Sequence, residues 1–198
     1  PIMYCRNHLL PKSASVGPLS IQRSALECVI NIHGTAIRFI NTHLTHVSSD
    51  TRYPQVQKLL EIHRDAGLEG LPVCGACKSG GEQWSEAFLD NQVCSKTIIL
   101  GDFNCTPNTS EYELIVGSIS PYGGRVTHPL GFIDGWIYGN ERNPPEEGFT
   151  SQVKGNPARL DYIFLSTSLA SRIQKCSVDQ LSEGSDHQPV WLDLSSKV

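Results

Sequence analysis

Residues 25–32 (Ala-Leu-Glu-Cys-Val-Ile-Asn-Ile) and 35–44 carry apolar side chains with the spacing and β-branched content of strands. His33-Gly34 between them suits a two-residue hairpin turn. In the return strand the alternation puts Ile37, Phe39, Asn41 and His43 on one face. Two apolar positions thus give way to an amide and an imidazole, as on a strand leaving a core and entering a polar site. The period turns helical over residues 48–66, where Tyr53, Val56, Leu59, Leu60 and His63 share a stripe. Ser49 or Asp50 can cap that helix and Gly67 can end it. Arg52 and Gln55, near its start, read as surface residues. Residues 97–100 are an unbroken apolar run, as in a strand buried on both faces. It stops abruptly at Gly101-Asp102-Phe103-Asn104. Residues 108–111 (Asn-Thr-Ser-Glu) have the form of a capping box, opening a short helix with Tyr112, Leu114, Ile115 and Val116. Residues 159–165 make an apolar strand with an acid, Asp161, inside it. Residues 172–178 and 190–194 read as further strands, the second preceded by a turn holding Asp186-His187. Residues 1–20, with prolines at 1, 11 and 18, read as irregular. Residues 118–127 and 140–148 read as loops, and 132–137 as a short element of either type.

Composition narrows the class. The 198 residues are 39% hydrophobic and 18% charged, which is ordinary for one globular domain spanning 1–198. No apolar run is long enough to span a bilayer. The net charge of −4 disfavours tight binding to long nucleic acid, which calls for a basic face. An acidic protein working on phosphates needs metal ions or a local basic patch. The 7 cysteines are odd in number and lack the spacing of a small disulfide scaffold. An intracellular compartment, cytoplasmic or nuclear, is therefore expected. Cys74-Gly-Ala-Cys77 has a spacing that suits zinc or a redox disulfide, with Cys94 as a candidate third ligand. No second such pair follows, so this segment reads as an exposed insertion.

Candidate chemistry gathers at strand ends. Asp102 and Asn104 are two apart, so on an extended chain they point the same way. A carboxylate can orient water or a metal, and an amide can donate to a phosphate oxygen without adding repulsive charge. The plain alternative is a strand running into an Asx-type turn. His43, Asp102 with Asn104, Asp161, and Asp186 with His187 each interrupt or terminate an apolar strand. One shared site accounts for all four. A buried acid fixes the tautomer of an imidazole and raises its basicity, which makes Asp161 a natural partner for a histidine.

Asn41-Thr-His43-Leu, Gly101-Asp102-Phe-Asn104, Arg159-Leu-Asp161-Tyr-Ile and Ser185-Asp186-His187-Gln-Pro-Val190 resemble, in this order, the motifs of the endonuclease/exonuclease/phosphatase superfamily. That group includes deoxyribonuclease-like nucleases, apurinic endonucleases, neutral sphingomyelinases and inositol-polyphosphate 5-phosphatases. The resemblance implies an α/β fold: an αββα four-layer sandwich of two packed mixed β-sheets flanked by helices. It implies a metal-dependent phosphoesterase acting on a phosphodiester or phosphomonoester in nucleic acid, a nucleotide or a lipid headgroup. Asp102 would activate the attacking water, and Asn104 would hold a phosphate oxygen. His187, oriented by Asp161, and His43 would face the phosphate. Magnesium, or manganese in its place, would be held by Asp186, Asp102 and Asn104. The family's early Asn and metal-binding Glu have no counterpart here. With no initiator Met, the chain looks like the C-terminal portion of the domain, with residues 1–10 resembling the exit from a strand. An inactive member that binds a phosphate ligand or a partner is the alternative.

Overall fold

The structure, a computed structural model, describes residues 1–72, 94–140 and 148–195. Its centre is a six-stranded mixed sheet of β1 (Ile2–Leu9), β2 (Ser24–Ile32), β3 (Thr35–His43), β4 (Thr97–Asp102), β8 (Asp161–Ser166) and β5 (Phe132–Asp134), in that spatial order. β1, β2 and β3 run antiparallel, β3 and β4 pair parallel, and β8 is antiparallel to both β4 and β5. The parallel pair needs a crossover, which includes α1 (Ser49–Glu69).

The sheet's two faces are covered differently. α1 and α2 (Ser110–Val116) lie on one, where Ile40, Leu44, Val56, Leu59, Phe103, Tyr112 and Phe164 are buried together. The other face packs against a 3-10 helix (Thr167–Arg172) and a two-stranded antiparallel sheet of β9 (Ile173–Val178) and β10 (Val190–Leu194). There Ile37, Ile98, Leu165 and Leu169 are buried. Helix, sheet and second sheet are thus stacked as the α/β sandwich requires. α3 (Gly135–Gly139) packs against β9, and β6 (Ser151–Val153) and β7 (Asn156–Ala158) form a small separate ribbon.

Several local expectations hold. His33 and Gly34 both have positive φ, as a two-residue hairpin turn needs, and the Gly34 N–H donates to the Asn31 side chain at 2.8 Å. Others are corrected. Residues 2–9 are a strand rather than irregular chain: their alternation is masked by Tyr4 and His8, polar residues whose side chains reach the buried Glu27 of β2. The cap of α1 is Ser48, paired with Thr51 in a capping box, and the helix continues past Gly67 to be closed by Gly70. Gln55 is buried, its amide oxygen accepting from Thr45 N and its nitrogen donating to Pro11 O. Arg52 is likewise inward, in a 3.0 Å ion pair with the buried Glu111. In α2 the cap is Thr109, not Asn108, because Asn108 takes a left-handed conformation and its side chain accepts from Arg125.

Candidate functional site

Strand register puts three of the expected residues in one row. His43 ends β3, Asp102 ends β4 and Asp161 begins β8. His43 pairs with Asp102 across the parallel rung, and Asp102 with Asp161 across the antiparallel one. The carboxyl ends of two strands and the amino end of a third therefore meet at one sheet edge. Gly101 is what lets β4 lie there: its φ is +128°, and a Cβ on it would stand 1.9 Å from the Thr42 carbonyl oxygen.

Beyond Asp102 the chain turns back on itself. The Asn104 N–H donates to Asp102 Oδ1 at 2.8 Å, the Asx turn foreseen as the plain alternative. Asn104 has a positive φ of 50°, tolerable for an asparagine, and its amide nitrogen donates to Leu44 O at 3.0 Å and to Asp102 Oδ2 at 3.3 Å. Turn and site are thus the same structure. Tyr162 OH, from β8, bonds the carbonyls of Cys105 and Arg159, stapling this turn to the start of β8.

His187 arrives from the loop before β10. Its Nδ1 lies 2.7 Å from Asp161 Oδ2. A carboxylate can only accept, so Nδ1 carries the proton and Nε2 is the nitrogen left for chemistry. Thr150, which sequence reasoning missed, builds this part of the site. Its buried hydroxyl accepts from both Leu160 N and Asp161 N, and its carbonyl accepts from Gln188 N at 2.7 Å. One residue thereby fixes the backbone on both sides of the His187–Asp161 bond. Arg159 and Asp134, also missed in these roles, form a buried 2.5 Å ion pair to which Tyr112 OH adds a 2.7 Å hydrogen bond.

The electrostatics differ between the two histidines. His43 Nε2 is 3.3 Å from Asp102 Oδ2, and burial pushes His43 below and Asp102 above their ordinary values. For His187 burial pulls the same way, but the hydrogen bond and charge of Asp161 outweigh it and the imidazole sits above its usual value. The carboxylate partner thus favours the protonated ring of His187, whereas burial disfavours that of His43.

Asp102, Asp161 and His187 can each present a ligand atom within 4.8 Å of the others. The two carboxylates of this set suit a hard divalent cation, while a protonated His187 would not ligate one. Asp186, expected among the metal ligands, is exposed and does not join this cluster. Its carbonyl accepts from Ser151 Oγ and its carboxylate from Ser185 Oγ. Cys74 and Cys77 lie outside the described residues, and the Cys94 thiol is buried against the Ala36 and Lys96 carbonyls.

Comparison with known proteins adds to this geometry. Residues 85–187 match the profile described as the Endonuclease/Exonuclease/phosphatase family. Among solved structures, an endonuclease/exonuclease/phosphatase family protein from Leptotrichia buccalis C-1013-b superposes with a TM-score of 0.59 at 20% identity, covering 98% of this chain and 61% of that one. The human Nocturnin catalytic domain with bound sulfate anion gives 0.60 at 18% identity, covering 98% and 59%. The mannosyl-6-phosphatase of Bacteroides thetaiotaomicron VPI-5482 gives 0.56 at 17%, covering 98% and 67%. The chain thus spans about three fifths of the length of the first of these relatives. No curated protein sequence matches it. The structural likenesses establish the fold, and the profile match takes in over half the chain, including β4, β8 and the loop that carries His187. The chain belongs to the endonuclease/exonuclease/phosphatase family.

Proposed function

We propose that this site hydrolyses a phosphate ester by in-line attack of an activated water. The observation that carries this reading is the 2.7 Å His187–Asp161 bond set beside Asp102 at the same sheet edge. Asp102, partly buried and raised in pKa, takes the proton from the attacking water. His187, whose protonated form is favoured by Asp161, donates through Nε2 to a non-bridging phosphate oxygen and balances charge as the transition state forms. His43, at the other end of the row, presents a largely neutral ring to the same phosphate. Asn104 keeps Asp102 in place through its main-chain and side-chain bonds and completes the phosphate pocket. Magnesium, or manganese in its place, would be held by the carboxylates of Asp102 and Asp161, with Asn104 beside them. Once bound, it would neutralise phosphate charge and assist the leaving oxygen. The substrate is a phosphodiester or phosphomonoester of a nucleotide, nucleic acid or lipid headgroup. The match to the family profile supports this reading. The range of named relatives, one a mannosyl-6-phosphatase, supports keeping both ester types in view.

Hydrolysis of bis(p-nitrophenyl) phosphate and p-nitrophenyl phosphate, with magnesium and with a chelator, tests it. Turnover of either that is lost with the chelator supports the proposal. Binding of phosphate without turnover of any ester would replace it with a phosphate-ligand-binding module.

A further inference from the structure

Cys5 of β1 and Cys28 of β2 stand directly opposite each other in the antiparallel pairing, and their Sγ atoms are 2.9 Å apart. Opposed residues on adjacent strands project from the same face, with Cα atoms about 4.5–5.5 Å apart, inside the span a disulfide bridges. The strand register alone brings the two sulfurs this close. Cys5 is exposed and Cys28 half-buried. The other described cysteines differ: Cys94, Cys105 and Cys176 are buried, and burial pushes the Cys105 thiol up to about 12 and that of Cys176 to about 11. Among the described residues, only Cys5 and Cys28 form a close and reachable thiol pair. Neither takes part in the site described above.

We propose that Cys5 and Cys28 are a redox-active dithiol that closes to a cross-strand disulfide when a small-molecule disulfide such as oxidised glutathione is present. The roles of the two sulfurs follow from their surroundings. The hydrogen bond with Cys5 pushes the Cys28 thiol up to about 11. Cys5 is exposed and Cys28 half-buried, so the Cys5 sulfur is the one an incoming disulfide reaches and the one that attacks. Its thiolate attacks a glutathione disulfide sulfur, the S–S bond breaks and one glutathione thiolate leaves. Cys28 then loses its proton and attacks the Cys5 sulfur of the mixed disulfide, expelling the second glutathione thiolate. Two cysteine thiols are oxidised, one glutathione disulfide is reduced, and the two protons end on glutathione. The product pins an edge strand that is otherwise tied to β2 by its ladder and by the Tyr4 and His8 contacts to Glu27. The two cysteines are 23 residues apart, so the closed loop also restricts the unfolded chain.

The experiment uses the full chain, first reduced, then incubated with oxidised glutathione, alkylated and peptide-mapped. The expected result is a Cys5–Cys28 cross-linked peptide, a mass lower by two hydrogens, and a Tm raised by about 5 °C or more that dithiothreitol reverses. The C5S/C28S variant should fold and show no such redox-dependent shift. Three results would overturn the proposal: both thiols still free, a glutathione adduct on Cys5 that Cys28 does not resolve, or a Cys5 link to a second copy on a non-reducing gel. A Tm shift that persists in C5S/C28S would also overturn it, by assigning the effect to other cysteines.

Discussion

Asp102 and His187 are both shifted upward from their ordinary values, for opposite reasons. Burial opposes the carboxylate of Asp102, whereas a carboxylate partner favours the cation of His187. In metal-free protein, the NMR titration of the His187 ring should therefore have its midpoint above the ordinary value near ~6.5. Asp161→Asn should bring the midpoint down, and an unchanged midpoint would show that Asp161 is not the cause. The sign for stability follows. Because the folded value lies above the unfolded one, the contribution of this bond is fully present below about pH 6.5 and is lost as pH rises through the folded value. Catalysis sets a second test. Asp102→Ala and His187→Ala should each lower turnover on the order of a thousand-fold, and near wild-type rates in either would remove that residue from the mechanism. Both residues were legible in the sequence because each interrupts an apolar run within a motif. Thr150 was not: it has no periodic signature, and its role exists only where residues 158, 160, 161 and 188 converge on it. Asp134 and Arg159 escaped for the same reason, since neither position announces its partner 25 residues away.

Elements were most readable where one face is uniformly apolar. β4 and the hairpin of β2 and β3 match their expected positions, because continuous or alternating β-branched runs leave few alternatives. β1 failed that test because its inward positions are polar and satisfied by Glu27, a partner 23 and 19 residues away from Tyr4 and His8. In α1 the stripe was displaced by Gln55, whose burial depends on acceptors and donors in two loops rather than on hydrophobicity. The sharpest demand at this scale falls on the turn into the site. Gly101→Ala would place a methyl group into the Thr42 carbonyl at a backbone conformation alanine avoids. We expect a loss of about 4 kcal/mol in chemical denaturation. A variant as stable as wild type would mean that β3 and β4 can part at this rung.

Across the whole molecule, one face of the main sheet is sealed by helices and the other is covered at the β4, β8 and β5 end by β9 and β10. The site lies at the edge of the main sheet, reached by the loop that carries His187 towards β10. No helix among the described residues is long and apolar enough to cross a membrane. The order of motifs made the sandwich legible, but its layering depends on contacts among residues far apart in the chain, which no single run of sequence records.

The row formed by His43, Asp102 and Asp161, joined by His187, has a kinetic consequence. Its members lie in four distant stretches of chain, and the β3–β4 rung forms only after a long crossover loop has closed. Such nonlocal contacts are slow to establish. A partly folded chain can therefore hold any one of these residues in its strand and still have no centre. The proposed chemistry at this edge would thus report the completion of folding.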